Sequence, residues 1–242
     1  AATQSLDLNN ALIDYVALEK AGGPMKVATY AKGGNPEVLN YAYQGSYSDN
    51  PAYTYGMISP ELVTLYGSND ERLNLFFKTT GNSVYYFDEG SGAALWNTSL
   101  TYTKFQYMAV GLRTAEVYLI LAEAEARLGY IKEATEVLNQ LRVKRIKGDE
   151  ATLAQPSTQK EMVQAVINER RKELLFGFHR YWDLKRLNVE ADYAKTITRT
   201  FPIVTATTQH TYTLSPDSRL YVIPFPEDVR AKNTNITNNT DK

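Results

Sequence analysis

Apolar positions recur at helical spacing most clearly between Arg113 and Leu128. There Ala115, Tyr118, Leu119, Ala122 and Ala126 form one apolar face, and Val117, Leu121, Ala124 and Leu128 form a second. Only Glu116, Glu123 and Arg127 are left for solvent, so the pattern predicts a helix packed on two sides, with alanines permitting close approach. Gly129 stops it, and Ile131, Ala134, Leu138 and Leu141 mark the inner face of the next helix, giving a tight αα-hairpin. A second pair follows. Met162, Val163, Val166, Ile167 and Leu174 lie on one helix, Gly177 breaks it, and Tyr181 to Leu187 form the next.

Elsewhere the pattern is weaker. Leu8, Leu12, Tyr15 and Val16 keep helical spacing as far as the Gly22-Gly23 stop, and residues 25–37 are turn-rich. Glu37 to Tyr43 reads as a short strand. Ser59-Pro60-Glu61 opens a short helix running to Gly67, with Ser as N-cap and Pro at the first helical position. Leu73 to Lys78 and Val84 to Phe87 read as strands. From Ile203 onwards the chain reads as irregular, with a strand at Leu220 to Ile223 and polar coil from Asn233 to Thr240. The fold class predicted is mainly α with irregular loops and short β strands. LAEAEARLGYIKEATEVLNQL (Leu121 to Leu141) resembles a tetratricopeptide unit, with Gly at the corner and Ala where helices cross.

Composition adds boundaries. The 242 residues suffice for one large domain or two small ones, and 43% hydrophobic with 22% charged residues is ordinary for a globular chain. A net charge of −1 supplies no field to attract nucleic acid or an anionic membrane. Cysteine is absent, which removes disulfides, thiol catalysis and thiolate zinc sites. There is no P-loop, G-x-S-x-G, H-E-x-x-H or G-x-G-x-x-G. His179 and His210 stand far apart with no triad or ligand pattern around them. Asp88-Glu89, the most tempting carboxylate pair, would point to opposite faces of a strand. No catalytic residue, no metal ligand and no cofactor site is assigned, and the chain reads as a non-enzyme.

ERRKELLFGFHRYWDLKRL (Glu169 to Leu187) mixes charge with large apolar and aromatic residues. At helical spacing Glu169 meets Lys172, Arg180 meets Asp183, and Asp183 meets Arg186. A nucleic-acid face would need basic residues on one side without carboxylates among them, so these charges read as a packing device. Arg170, Arg180 and Asp183 are therefore expected to be structural. Aromatics concentrate instead between Tyr41 and Tyr107, which hold 15 of the chain's aromatic residues interleaved with Asn, Ser, Asp and Gly. Tyr and Trp offer an apolar face with a polar tip, suited to a sugar ring. Tyr47, Tyr53, Tyr55 and Trp96 fall in loop-like sequence and are the candidate ligand-binding residues.

The stretch Glu169 to Leu187 resembles the E-R-R-x-E-L-x-F-E-G-x-R-x-x-D-L-x-R segment of the SusD/RagB family. Glu169, Arg170, Arg171, Glu173, Leu174, Phe176, Arg180, Asp183, Leu184 and Arg186 match. GNPEVLNYAY (Gly34 to Tyr43) is similar to the family's N-x-E-x-I-F segment, and SPELVTLYGSNDERL (Ser59 to Leu73) to its P-x-x-L-x-x-x-Y…D-x-R segment. LRTAEVYLILAEAEARLG (Leu112 to Gly129) resembles its R-x-A-E-V-x-L-x-x-A-E-A segment, and Tyr221 to Asn239 its closing I-P…E…N-x-x-I-x-Q-N. Gly177-Phe178 replaces the usual Glu-Gly, and the Q-N-P-G-Y ending is missing.

The resemblance implies a SusD-like fold with tetratricopeptide-like helix hairpins, spanning 1–242 as a C-terminal region. Its parts would be an aromatic-rich loop and strand part at about 34–108, a helix-hairpin part at about 112–190 and an irregular part at 191–242. It further implies a non-enzymatic nutrient-binding lipoprotein at the cell outer membrane, surface-exposed, with the lipid anchor and the family's N-terminal half on a segment absent from this chain. The partners implied are a glycan, a TonB-dependent SusC-like transporter and that N-terminal half, with no nucleic acid. Two alternatives stand beside glycan capture: binding of peptides, and a tetratricopeptide-type scaffold that contacts only protein.

Overall fold

The computed structural model describes residues 1–8, 12–20, 37, 39, 60–73, 77–79, 100–102, 112–175, 179–201 and 210–238. The chain divides into two compact units. The first holds the described residues up to 79 and those from 100 to 175; the second holds 179–201 and 210–238.

The first unit is helical. It contains α1 (Ala2–Leu8), α2 (Tyr15–Lys20), the short α3 (Pro60–Val63), α4 (Thr114–Arg127), α5 (Ile131–Arg142) and α6 (Gln159–Glu173). Strands β1 (Phe77–Thr79) and β2 (Leu100–Tyr102) form an antiparallel pair in which Lys78 faces Thr101. α4 packs against α5 and α6, and α1 lies against α4. The corner between α4 and α5 is made by Gly129 at φ 87°, a left-handed conformation that strains any residue with a Cβ. Ala115, Leu119, Ala122 and Ala126 of α4 are fully buried, as are Ala134, Leu138 and Leu141 of α5 and Met162, Val163 and Val166 of α6. Small residues on α4 let both neighbours approach closely. α6 begins with a capping box: Thr158 Oγ1 accepts from the Glu161 amide (3.2 Å) and Glu161 Oε2 accepts from the Thr158 amide (3.0 Å).

The second unit holds α7 (His179–Leu187), an antiparallel ribbon of β3 (Ile197–Phe201) and β4 (His210–Leu214), a 3₁₀ turn (Arg219–Tyr221) and α8 (Glu227–Lys232). Tyr181 ties α7 to that turn: its hydroxyl donates to the Leu220 carbonyl (3.4 Å), and its ring lies 5.9 Å from that of Tyr221.

Several local expectations are corrected. The first helix is two, because residues 12–14 leave the helical path before α2. Leu73 is helical rather than extended, and of the expected strand the described residues Phe77 and Lys78 are in β1. The expected strand at Leu220 to Ile223 is replaced by a 3₁₀ turn started by Ser218, whose side chain accepts from the Leu220 amide. The β3–β4 ribbon was not anticipated, since Arg199 and His210 interrupt the short alternation of Ile197, Phe201, Tyr212 and Leu214 with Thr. On α4, Glu123 is buried and bonded to Arg127 Nε at 2.9 Å, whereas Leu128 is 71% exposed. The pairing with Arg127 one turn on satisfies the Glu123 carboxylate away from bulk water. Phe176, Gly177, Phe178 and the expected strand Val84 to Phe87 lie outside the described residues, as does all of Glu37 to Tyr43 except Glu37 and Leu39.

Candidate functional site

Charges dictate the most elaborate feature of the first unit. Glu169 and Glu173 are one helical turn apart on α6, so both carboxylates share one face and point into the unit. Arg72, in the turn after α3, fits between them. Its Nη2 donates to Glu169 Oε1 (2.6 Å) and Asp70 Oδ2 (2.6 Å), its Nε to Asp70 Oδ1 (2.8 Å) and its Nη1 to Glu173 Oε2 (3.1 Å). Arg145, just past α5, takes the other side of Glu173 through Nε (3.0 Å) and Nη2 (3.1 Å), and its Nη2 also reaches Glu37 Oε1 (2.7 Å). Its third corner donates to the Ile13 carbonyl (2.6 Å), and the guanidinium lies 3.8 Å from the Tyr15 ring centroid.

Further cations complete the cluster. Arg113, at the mouth of α4, donates to the Glu173 carbonyl (2.7 Å). Arg142 and Lys172 reach Glu169 Oε2 at 2.8 and 3.0 Å. The side chains of Arg72, Arg145, Glu37, Asp70 and Glu173 have no exposed surface. Burial alone would raise the Glu173 carboxyl, but Arg145, Arg113 and Arg72 bring it down to about 2. Glu169 is driven in the same direction: burial opposes its charge, and Arg72, Lys172 and Arg142 outweigh burial. Burial pushes the Lys172 ammonium down and the Tyr15 and Tyr66 hydroxyls up.

This is a lock rather than a reaction centre. The Glu169 and Glu173 carboxylates are held in their ionised form against arginine donors, and the side chains of Arg72, Arg145 and Glu173 have no exposed surface. It gathers segments distant in sequence, including 13–15, 37, 66–72, 113 and 142–145, onto one face of α6. Backbone bonds fasten the same segments: Tyr15 N to Lys144 O (2.9 Å), Glu71 N to Arg145 O (2.8 Å) and Thr114 N to Glu37 O (2.7 Å). Local spacing identified the Glu169–Lys172 and Asp183–Arg186 pairs, both present at 3.0 and 2.9 Å. It missed Arg72, Arg145, Arg113 and Glu37 as partners. A signal was available, because Glu37, Asp70, Arg72, Arg113, Glu169 and Glu173 are among the charged positions of four separate resembling segments. Arg145 belongs to none of them.

Arg170 is buried with Nη2 3.9 Å from Glu116, Asp183 is buried against Arg186, and Arg180 is half-buried. The candidate ligand residues Tyr47, Tyr53, Tyr55 and Trp96 lie outside the described residues. Among the described residues, no group of three or more His, Asp or Glu is arranged to hold a metal ion, and no helix is long and apolar enough to cross a membrane.

Comparison with solved structures finds the same architecture. A SusD-like carbohydrate binding protein from Bacteroides vulgatus ATCC 8482 superposes with a TM-score of 0.57 at 20% identity, over 97% of this chain and 54% of that one. A SusD homolog from Bacteroides thetaiotaomicron VPI-5482 gives 0.50 at 20% identity, over 93% and 52%. The chain thus spans about half the length of these structures. No curated protein sequence matches it. The model of the SusD family matches residues 95–241, which include α4 to α6, the Arg113 and Glu173 ends of the lock and all of the described second unit. With that match over more than half its length, the chain belongs to the SusD family.

Proposed function

We propose that the chain is the C-terminal part of a non-enzymatic protein that captures an oligosaccharide or polysaccharide at the outer-membrane surface and delivers it to a TonB-dependent SusC-like transporter. Family membership carries this reading, together with a fold shared along nearly the whole chain with a protein described as carbohydrate-binding. A lipid anchor on a preceding segment would hold it at the surface. Tyr47, Tyr53, Tyr55 and Trp96 are the rings offered to the sugar, in sequence rich in Asn, Ser, Asp and Gly that supply hydrogen-bonding partners. The buried lock leaves its own carboxylates paired, which supports a scaffold role for that part of the first unit rather than acid-base chemistry.

The test is calorimetric titration of the protein against a panel of neutral and acidic glycans, repeated with Trp96→Ala, Tyr53→Ala, Tyr55→Ala and Tyr47→Ala. Loss of a stacking ring should weaken binding by about 1–3 kcal/mol where the ring is in the site. Wild-type affinity in all four variants, with the melting temperature unchanged, would place the site elsewhere. Release of reducing sugar by the pure protein would overturn the non-enzymatic reading.

A further inference from the structure

The β3–β4 ribbon separates its chemistry by face. Directly opposed residues in an antiparallel pair share a face and alternate along each strand. The register opposes Thr198 to Thr213 and Thr200 to Thr211, so one face is four threonines, with the Thr200 and Thr211 hydroxyls 3.3 Å apart. The other face has the pairs Ile197–Leu214, Arg199–Tyr212 and Phe201–His210, so Arg199 and Tyr212 stand opposed between apolar positions, with His210 two positions along β4. Arg199, His210 and Tyr212 are exposed, Tyr212 at 62%. Neither strand holds a carboxylate, and among the described residues the Arg199 guanidinium bonds only to the carbonyl of its neighbour Thr198 (2.9 Å).

A flat ring, an unneutralised guanidinium and an imidazole on one face match the parts of an acidic sugar. Opposed side chains stand about 4.5–5.5 Å apart, the scale of one pyranose ring. A sugar stacked on Tyr212 can therefore present its carboxylate to the N–H fork of Arg199 in bidentate geometry. A hydroxyl of the next sugar can meet His210. The whole chain carries a charge of −1, so attraction of an anion here is local to the ribbon.

We propose that this face of the ribbon binds a uronate-bearing glycan, with Tyr212 as the stacking ring and Arg199 as the carboxylate partner. The inference rests on the glycan-capture reading and gives it a substrate class and a second surface, distinct in sequence from Tyr47, Tyr53, Tyr55 and Trp96.

The experiment titrates the full chain with an oligogalacturonate, its fully methyl-esterified form and neutral xylan and maltose oligomers. Circular dichroism melts of each variant serve as the fold control. The acid should bind at least about tenfold tighter than the ester at low salt, with the preference shrinking as salt is raised. Arg199→Gln should remove the preference for the acid. Tyr212→Leu, which keeps an apolar side chain of strand-compatible size, should weaken the acid and the ester alike by about tenfold. Equal affinity for acid and ester, or wild-type behaviour in both variants, would overturn the ribbon site while leaving glycan capture standing. Binding confined to the neutral oligomers would do the same. No binding of any saccharide would overturn both readings.

Discussion

Arginine does opposite things in the two units. In the first, Arg72 and Arg145 are sealed from water, and their donors are taken up by Asp70, Glu169, Glu173, Glu37 and the Ile13 carbonyl. In the second, Arg199 stands exposed on a two-stranded ribbon with a backbone carbonyl for company. A guanidinium wholly engaged inside the fold has nothing left for a ligand; one held at the surface keeps most of its fork available. Charge density therefore misleads as a guide to function here. The stretch richest in charge, around Glu169 to Glu173, is where α6 is fastened to its surroundings. The sparse ribbon is where chemistry remains open.

The sharpest way to break this contrast is to treat a buried arginine as though it were an exposed one. Arg145→Met removes the shortest ion-pair partner of two fully buried carboxylates, Glu37 and Glu173, leaving them to Arg113 and, for Glu173, Arg72, and it removes the support of the Ile13 carbonyl. Undercompensated buried charge costs about 3–5 kcal/mol, a large share of the roughly 5–15 kcal/mol by which an ordinary domain is stable. A thermal melt should show a large fall in melting temperature. Arg145→Met combined with Glu173→Gln should recover part of the loss, since one buried carboxylate that has lost a guanidinium is neutralised. A near-wild-type melt for Arg145→Met alone would mean that the cluster contributes little.

Acid tests the same cluster without mutation. Glu169 and Glu173 hold folded values below the ordinary 4.5, Glu173 at about 2. A depressed carboxyl contributes stability that is fully present above the unfolded value and is lost as pH falls through the folded one. Stability should therefore decline between about pH 4.5 and pH 2, by an amount of the order of a few kcal/mol. Urea melts at pH 7, 4 and 3 would follow it, and Glu173→Gln should flatten the slope. A midpoint independent of pH across that window would show that the unfolded chain holds its carboxyls in a similar environment.

How far these regions can be read from sequence follows the same divide. α4 to α6 were legible because their stability comes from apolar residues at a fixed period, with Gly129 as punctuation, whereas the Thr158–Glu161 box that opens α6 was not read. Glu169–Lys172 and Asp183–Arg186 were legible because a helix fixes the distance between residues three apart. The rest of the lock was not, since Arg72 reaches Glu169 across 97 residues and Arg145 reaches Glu37 across 108, separations at which no local rule operates. The ribbon escaped for another reason. In ITRTF and HTYTL, Ile197, Phe201, Tyr212 and Leu214 alternate with Thr, but Arg199 and His210 interrupt the apolar set, leaving each five-residue run too short a signal to declare a strand.

The smallest effect is expected on the ribbon's threonine face, and it completes the contrast. Thr200 and Thr211 are exposed and directly opposed, with hydroxyls 3.3 Å apart in full contact with water. Water replaces that bond at little cost, so Thr200→Ala should lose mainly the β-branched contribution to the strand, about 0.5 kcal/mol or less. Its melt should lie close to wild type, against the large fall expected of Arg145→Met. Affinity for an acidic oligosaccharide should also stay at the wild-type level, because Thr200 lies on the face opposite Arg199 and Tyr212. If Thr200→Ala melts normally but loses the saccharide, the ribbon binds through its threonine face, where hydroxyls and methyls rather than the guanidinium would select the sugar.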